Sequence, residues 1–283
     1  MKVLVTGAEG LVGSVLCPYF REQGHEVFPF SHAALDITDE RAVGEKIGSI
    51  KPDAVVNAGA MTDVDISEKN PEQAFAANAR GPENMARACR QSGAALLHLS
   101  TDYVFDGAKG SPYDEEDAPE PISVYGLSKL EGERAVRGIL PSHYIVRTSF
   151  VFGASRANFV KSILLAAKKG GEVKAYTDLS SCPTYNRDIA KACLAILTAR
   201  TPGMYHMANS GGASRYAIAE KILGMAPENH ATLKAVTLRE APRPARRPAN
   251  SMLACARLEK LGFTVRPWED AVREFIAEIW EKL

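Results

Sequence analysis

The chain has 283 residues, of which 46% are hydrophobic and 24% charged, so it is long enough to bury the core of one large domain or two smaller ones. Its 34 basic residues balance its 34 acidic ones, which argues against nucleic acid or an anionic membrane as a partner. The five scattered cysteines and the lack of an apolar run near the roughly 20 residues that cross a bilayer predict reduced thiols, no metal site, no membrane segment and a cytoplasmic location.

The first predicted element is a strand from Lys2 to Thr6 that ends at a glycine-rich turn. Gly7, Gly10 and Gly13 follow with the spacing G-x-x-G-x-x-G, and an apolar helical pattern then runs to Gly24. Strand, glycine turn and helix form the usual context of a dinucleotide site, although G-x-G-x-x-G is the commoner spacing. Glycine lets the backbone approach a pyrophosphate, whose charge lies against the N–H groups at the helix start. The turn therefore predicts a dinucleotide cofactor.

The second predicted strand, Glu26 to Phe30, ends without the acidic residue that usually binds a ribose 2′-hydroxyl. Asp36 comes a few residues later, and either Thr38 or Asp39 is expected to cap a helix from about 40 to 50. No arginine replaces the missing acid. The sequence therefore favours NADP over NAD only slightly.

The third predicted strand, Asp53 to Asn57, leaves the sheet through the small residues Ala58 to Thr62. Small residues let a cofactor pass close to the backbone, although tight packing alone would also explain them. A helix is expected from about Pro71 to Ser92. A fourth strand, Ala94 to Leu99, then delivers Ser100 and Thr101 at its carboxyl end, where open α/β sheets bind ligands.

A long loop from Asp106 to Pro121, expected to be functional or mobile, leads to a helix that carries Tyr125 and Lys129 and ends near Gly138. Residues four apart share a helix face, so the ammonium is expected to lower the pKa of the phenol from about 10. Thr101 is placed to hold a substrate oxygen beside it. Carbonyl reduction by hydride needs a proton donor, a cation that lowers the pKa of that donor and a residue that positions the substrate, and Tyr125, Lys129 and Thr101 suit these three roles. A core tyrosine and a solvated lysine remain the alternative interpretation.

Strands and helices alternate through residues 1–150, which predicts an α/β fold, a doubly wound parallel sheet of the Rossmann type, in a dinucleotide-binding domain. The alternation of strands and helices becomes less regular after Gly153. Residues 151–283 are expected to form a smaller, discontinuous α/β substrate domain, with residues from about 180 to 200 returning to the first. The fifth strand of the first domain is predicted at 143–148, and beyond it we predict helices at about 158–169, 186–199, 214–223 and from 268 onward, and strands at 173–176, 204–208 and 233–238.

Several residue strings resemble those of a known family, and the resemblance runs nearly from end to end. They are similar to strings of the extended short-chain dehydrogenase/reductases and, within these, of the dTDP-4-dehydrorhamnose reductases. The strings are Thr6–Gly13, Val56–Asp65, Ser100–Phe105, Tyr125–Lys129, Arg147–Phe152, Pro183–Thr184 and Arg247–Leu253.

The resemblance implies NAD(P)H-dependent reduction of the C4 keto group of dTDP-4-dehydro-L-rhamnose to dTDP-L-rhamnose, a step of deoxysugar biosynthesis. Tyr125 would supply the proton, Lys129 would hold the nicotinamide ribose and ease that transfer, and Thr101 would orient the carbonyl. The expected substrate contacts are Thr101, Asp102, Phe150, Asn158 and Arg247. The expected cofactor contacts are Gly7, Gly10, Leu11, Val12, Gly13, Asp36, Ile37, Ala58, Gly59, Ala60, Met61, Thr62, Leu99, Tyr125 and Lys129.

The sequence departs from the family at two places. Phe150 stands where the family usually has tryptophan, which keeps an aromatic wall but removes an N–H donor. Ser14 and Val15 stand where some members have a glutamate that binds magnesium at a dimer interface, so neither that metal nor that dimer is expected, while a homodimer of another kind stays open.

Two other functions remain open. The first is a different nucleotide-sugar 4-ketoreductase or an epimerase, which would share the tyrosine and lysine and differ in the sugar pocket. The second is a non-catalytic, NADP-binding regulatory subunit similar to that of methionine adenosyltransferase.

Overall fold

A six-stranded parallel sheet with helices on both faces forms the centre of the molecule, in a computed structural model that describes all 283 residues. Its central strands are apolar on both faces because helices cover both; Val3, Leu4 and Val5 are completely buried. The predicted doubly wound α/β fold is confirmed. The strands of the whole chain are β1 (Lys2–Thr6), β2 (Glu26–Phe30), β3 (Ala54–Asn57), β4 (Ala95–Thr101), β5 (His143–Thr148), β6 (Val151–Phe152), β7 (Gly171–Tyr176), β8 (Ser180–Ser181), β9 (Thr184–Tyr185), β10 (Gly203–Met207), β11 (Ala213–Ser214) and β12 (Ala231–Val236).

The helices lie close to their predicted bounds in most of the chain, and none is long and apolar enough to span a membrane. Asp39, rather than Thr38, caps the second helix, because its carboxylate accepts the backbone N–H of Ala42. The helices are α1 (Gly13–Glu22), α2 (Glu40–Ile50), α3 (Val64–Lys69), α4 (Pro71–Phe75), α5 (Gly81–Ser92), α6 (Val124–Ile139), α7 (Phe159–Lys169), α8 (Asn186–Ala199), α9 (Arg215–Met225), α10 (Ala256–Lys260) and α11 (Trp268–Ile279).

The strand order of the central sheet, β2-β1-β3-β4-β5-β10, places a crevice between the ends of β1 and β3. The chain adds β2 on one side of β1 and then crosses to add β3 on the other. Helices leave these two strands on opposite faces, and the loops that follow β1 and β3 separate at the carboxyl edge. Ligands of open α/β sheets bind at such a switch point.

The single helix predicted from Pro71 to Ser92 is instead two α-helices joined by a π turn, Ala76–Arg80. Pro82 has no N–H to donate to the carbonyl of Asn78 four residues earlier, so the regular ladder is interrupted there. The freed Asn78 carbonyl faces Gly132 of α6, where a Cβ would come within 2.1 Å of the carbonyl oxygen. The π turn and α6 therefore pack backbone against backbone.

The loop between β4 and α6 is anchored against the sheet by a buried aromatic pair. Tyr113 stacks on Phe105 with ring centroids 4.1 Å apart, and its hydroxyl donates to Asp106 while accepting the backbone N–H groups of Gly107 and Lys109. This long loop therefore has its own packing and hydrogen bonds.

The second half of the chain contributes both to the central sheet and to a separate hydrophobic cluster. Strand β10 pairs with β5, which extends the return to the central sheet as far as Met207. The separate cluster of buried residues is drawn from Phe152 onward and includes Trp268 and Phe275 of α11, beside the small sheet of β7 and β12. The division into a cofactor domain and a substrate domain stays a prediction that this separation supports.

Candidate active site

The turn after β1 is shaped for close approach of another backbone or a ligand. Gly7 has φ +64°, and a Cβ there would lie 2.5 Å from the carbonyl oxygen of Ala58. A Cβ at Gly13 would lie 2.2 Å from the carbonyl oxygen of Gly7. No side chain caps the N-terminus of α1. This cradle fits the pyrophosphate of a dinucleotide.

The exit of β3 is fixed by two buried asparagines that the sequence reasoning did not single out. Asn57 Oδ1 accepts the backbone N–H of Gly59 at 3.0 Å and the hydroxyl of Thr6 at 2.8 Å. Asn78, in the π turn, accepts the N–H of Met61 at 2.8 Å and donates to its carbonyl at 3.0 Å. The segment from Ala58 to Thr62, predicted to contact the cofactor, is thus held at both ends.

Most of the predicted cofactor residues lie around the crevice between β1 and β3. Ile37 packs toward Gly59, and the Leu11 carbonyl accepts the amide of Asn186 at 2.7 Å. Asp36 is exposed, and its carboxylate accepts both the N–H and the hydroxyl of Thr38. These hydrogen bonds from Thr38 lower the pKa of Asp36 more than its partial burial raises it.

Thr101 ends β4, and Tyr125 and Lys129 lie one turn apart on α6, which packs against that strand. Tyr125 and Lys129 are 9% and 2% exposed, and Lys129 Nζ donates to the carbonyl of Leu99 at 2.7 Å. Thr101 is buried at the end of β4 and approaches the Tyr125 phenol closely enough to lower its pKa by hydrogen bonding. The solvated-lysine interpretation is therefore wrong for Lys129.

The expected direction of the Tyr125 pKa is wrong for this structure. Burial raises the pKa of the phenol above its ordinary value of 10, and Thr101 offsets only part of that rise. Burial also lowers the pKa of Lys129 to about 8, against a smaller opposing effect of Glu133. The spacing of four residues places both side chains on one face of α6, but loss of hydration acts on each pKa more strongly than the neighbouring groups do.

His98 on β4, which the sequence reasoning also missed, is buried between Asn57 and Lys129. Because Asn57 Oδ1 faces an N–H of the backbone, Asn57 Nδ2 is the group that donates to His98 Nδ1 at 3.0 Å. This pattern assigns the proton of neutral His98 to Nε2, which lies 3.4 Å from Lys129 Nζ and therefore accepts no hydrogen bond from the Lys129 ammonium. Burial and the Lys129 charge lower the pKa of His98. A histidine within the apolar run of β4 was the available signal.

Asp102 is buried among hydroxyl donors. It accepts from Thr101 Oγ1 at 2.9 Å and from Ser149 Oγ at 2.8 Å. Burial raises its pKa, while hydrogen bonds from Ser251, Ser149 and Thr101 act in the opposite direction. The structure therefore brings Asp102 to the predicted substrate side of Tyr125, already surrounded by polar partners.

Phe150 and Phe159 form an aromatic pair on which the guanidinium of Arg215 stacks. Phe150 has φ +44° and tilts against Phe159 with ring centroids 5.5 Å apart. The guanidinium carbon of Arg215, at the start of α9, lies 3.0 Å from the centre of the Phe150 ring. Arg215 was not singled out from the sequence, where it is one basic residue in an unremarked helix start.

The two remaining predicted substrate residues have structural partners. Arg247 Nη1 pairs with Asp65 at 3.0 Å and donates to the carbonyl of Ala245 at 2.8 Å. Asn158 caps α7, because its side-chain Oδ1 accepts the backbone N–H of Lys161. Its side-chain Nδ2 donates to the backbone carbonyls of Gly153 and Arg156. Asn158 is therefore occupied in fixing the start of α7, while Arg247 keeps its other guanidinium nitrogens outside these contacts.

A family model described as the RmlD substrate binding domain matches residues 1–280 of this chain. The dTDP-4-dehydrorhamnose reductase of Sinorhizobium fredii is 38% identical over 287 aligned positions, covering 98% of this chain and 97% of the relative.

Solved structures agree over the same length. The dTDP-4-dehydrorhamnose reductase of Clostridium acetobutylicum superposes with a TM-score of 0.95 at 36% identity, covering 99% of each chain. That of Bacillus anthracis, solved in complex with NADP, superposes with a TM-score of 0.94 at 33% identity, covering 98% of this chain and 99% of the other.

Proposed function

The chain belongs to the RmlD substrate-binding-domain family, and from this premise we propose that it reduces the C4 keto group of dTDP-4-dehydro-L-rhamnose with NAD(P)H to give dTDP-L-rhamnose. It is an oxidoreductase of deoxysugar biosynthesis. The observation that carries the proposal is the approach of buried Thr101 to the buried Tyr125 phenol at the end of β4, with buried Lys129 one turn further along α6.

The cofactor residues are proposed from the shape of the crevice. The Gly7–Gly13 cradle would take the pyrophosphate, and the segment from Ala58 to Thr62 would line the path toward Tyr125. NADP is the dinucleotide in the related Bacillus anthracis structure, and the strand end at Phe30 carries no acidic side chain to repel a 2′-phosphate.

Tyr125 acts as the general acid of the reaction. The reduced nicotinamide, when bound, supplies a hydride to the carbonyl carbon. As the C4 oxygen gains negative charge, the protonated phenol donates to it, and the nearby Thr101 hydroxyl fixes the direction of that oxygen. Lys129, with a pKa of about 8, is mainly protonated at neutral pH and stabilises the phenolate left behind.

The substrate side is proposed to be formed by Asp102, Phe150 and Arg247, with Asn158 holding the start of α7 in place. Phe150 supplies an apolar face for the sugar, and Arg247, oriented by Asp65, supplies a guanidinium for the nucleotide diphosphate. A cytoplasmic location, suggested by five unpaired buried cysteines, and a homodimer belong to the same proposal as untested predictions.

The proposal is tested by mixing the purified protein with NADPH and dTDP-4-dehydro-L-rhamnose and following NADPH oxidation together with the sugar product. We expect one dTDP-L-rhamnose for each NADPH consumed. Interconversion of two nucleotide sugars without net oxidation would support an epimerase. Tight NADPH binding without turnover of any keto sugar would support the regulatory-subunit alternative.

A further inference from the structure

Arg215 is a cation of the cleft that the protein itself leaves without a polar partner. Its Nε–H is buried and donates to no hydrogen-bond partner, and its guanidinium takes part in none of the ion pairs of the chain. Its contacts are aromatic: the ring of Phe150 at 3.0 Å and that of Phe159 at 6.0 Å from the guanidinium carbon.

Two other arginines with buried guanidinium nitrogens pair with carboxylates, although Arg147 Nη1 and Arg266 Nη2 also lack hydrogen-bond partners. Arg147 forms a fork with Glu133 at 2.9 and 2.7 Å, and Arg266 pairs with Asp188 and Glu274 at 2.8 and 2.7 Å. Burial without such a partner lowers the pKa of Arg215 to about 10. An uncompensated buried charge is unfavourable unless a ligand supplies the opposite charge.

The charged and titratable groups facing Arg215 leave room for an anion from outside. The Asp102 carboxylate is close enough to act on it but is already bound by the hydroxyls of Thr101 and Ser149. Tyr103 is half-buried, and loss of hydration raises the pKa of its phenol, so it stays neutral. The remaining charge is Arg247, which adds positive potential.

We propose that Arg215 binds the diphosphate of the nucleotide-sugar substrate, with Arg247 as the second cation of the same subsite. The inference rests on the proposed function for the identity of the anion. Asp65 partly neutralises the charge of Arg247. No carboxylate pairs with Arg215, and stacking on Phe150 holds its planar guanidinium in place. The cofactor pyrophosphate has its own cradle at Gly7–Gly13.

The test measures binding of dTDP and of thymidine to the NADPH-bound protein by calorimetry, in wild type, Arg215→Met and Arg215→Lys. Charge-assisted hydrogen bonds predict a loss of dTDP affinity of roughly 10- to 100-fold in Arg215→Met and a smaller loss in Arg215→Lys. Thymidine, which lacks the diphosphate, should bind equally to all three. The matched control is Lys221→Met, which removes a cation from the exposed face of the same helix and should leave both affinities unchanged.

Unchanged dTDP affinity in Arg215→Met would overturn the inference, and so would an equal loss for thymidine or for NADPH. The Lys variant keeps the test informative if the Met variant fails to fold. Parallel titrations with UDP and turnover assays separate this inference from the proposed function. Arg215-dependent binding of either nucleotide without reduction of a dTDP-4-keto sugar would uphold the subsite and contradict the reaction.

Discussion

Tyr125 and Lys129 lie one turn apart on α6, yet burial moves their pKa values in opposite directions. The pKa of the phenol is raised above 10 and the pKa of the ammonium falls to about 8, so burial favours the neutral form of each group relative to its balance in water. A raised phenol pKa suits reduction, because the acid must hold its proton until charge develops on the substrate oxygen. Residue spacing could predict that the two groups meet, but the sign of the pKa shift depends on how completely the tertiary fold excludes water.

Replacing Tyr125 by phenylalanine tests the role of the general acid. We expect kcat to fall by roughly 10²- to 10⁴-fold, the usual range for loss of such a group, with NADPH affinity largely kept. Steady-state kinetics and cofactor titration measure the two effects. Near-normal turnover in Tyr125→Phe would remove Tyr125 from the mechanism.

Replacing Lys129 by methionine tests the cost of burying its charge. The lysine has a pKa of about 8 in the folded chain and 10.5 in the unfolded one. Below pH 8 both states are charged and burial is fully unfavourable; between pH 8 and 10.5 the unfolded state binds more protons, so wild-type stability rises with pH.

Lys129→Met should therefore gain free energy of unfolding relative to wild type at pH 7, by up to about 3 kcal/mol less the lost hydrogen bond to Leu99, and this gain should shrink from pH 8 to 10.5. Urea unfolding at several pH values measures the difference. A difference that does not change over this range would contradict the assigned pKa. Catalysis should fall in the same variant.

At the scale of elements, α6 is positioned by its contact with the π turn. The sequence predicted α6 with Tyr125 and Lys129 on one face, because the relation between residues four apart is local to the helix. It could not predict the π turn, because Pro82 frees the Asn78 carbonyl and that carbonyl packs against Gly132, some fifty residues later in the chain. The local sequence pattern predicts where the helices lie, whereas their close packing depends on residues that are distant in the chain.

Gly132→Ala tests this contact, with Gly138→Ala as its matched control on the same helix. A Cβ at position 132 would meet the backbone of Asn78, whereas one at 138 meets no atom within 4 Å. We expect Gly132→Ala to lose about 1–3 kcal/mol of unfolding free energy and to weaken NADPH binding through Asn78 and Met61. Gly138→Ala should gain about 0.5–1 kcal/mol. Equal effects of the two substitutions would contradict the account of α6.

At the scale of the whole molecule, the site draws on segments that are far apart in the sequence. Alternating strands and helices predicted the parallel sheet and the glycine turn, and Thr101, Tyr125 and Lys129 could be placed by strand ends and helix spacing. The approach of Arg215 to Phe150 could not be predicted, because it depends on the path of the chain after β10. Arg247 was expected from the resemblance, and its partner Asp65 lies on α3, far from it in the sequence.

The most direct test of hydride transfer to C4 uses NADPH deuterated at the transferred position of the nicotinamide ring, with dTDP-4-dehydro-L-rhamnose as substrate. The account predicts that the wild-type protein forms dTDP-L-rhamnose carrying deuterium at sugar C4, with the hydroxyl proton at that carbon exchanging with solvent through Tyr125. Deuterium that stays on the nicotinamide while the sugar is consumed, or that appears at another carbon, would contradict it.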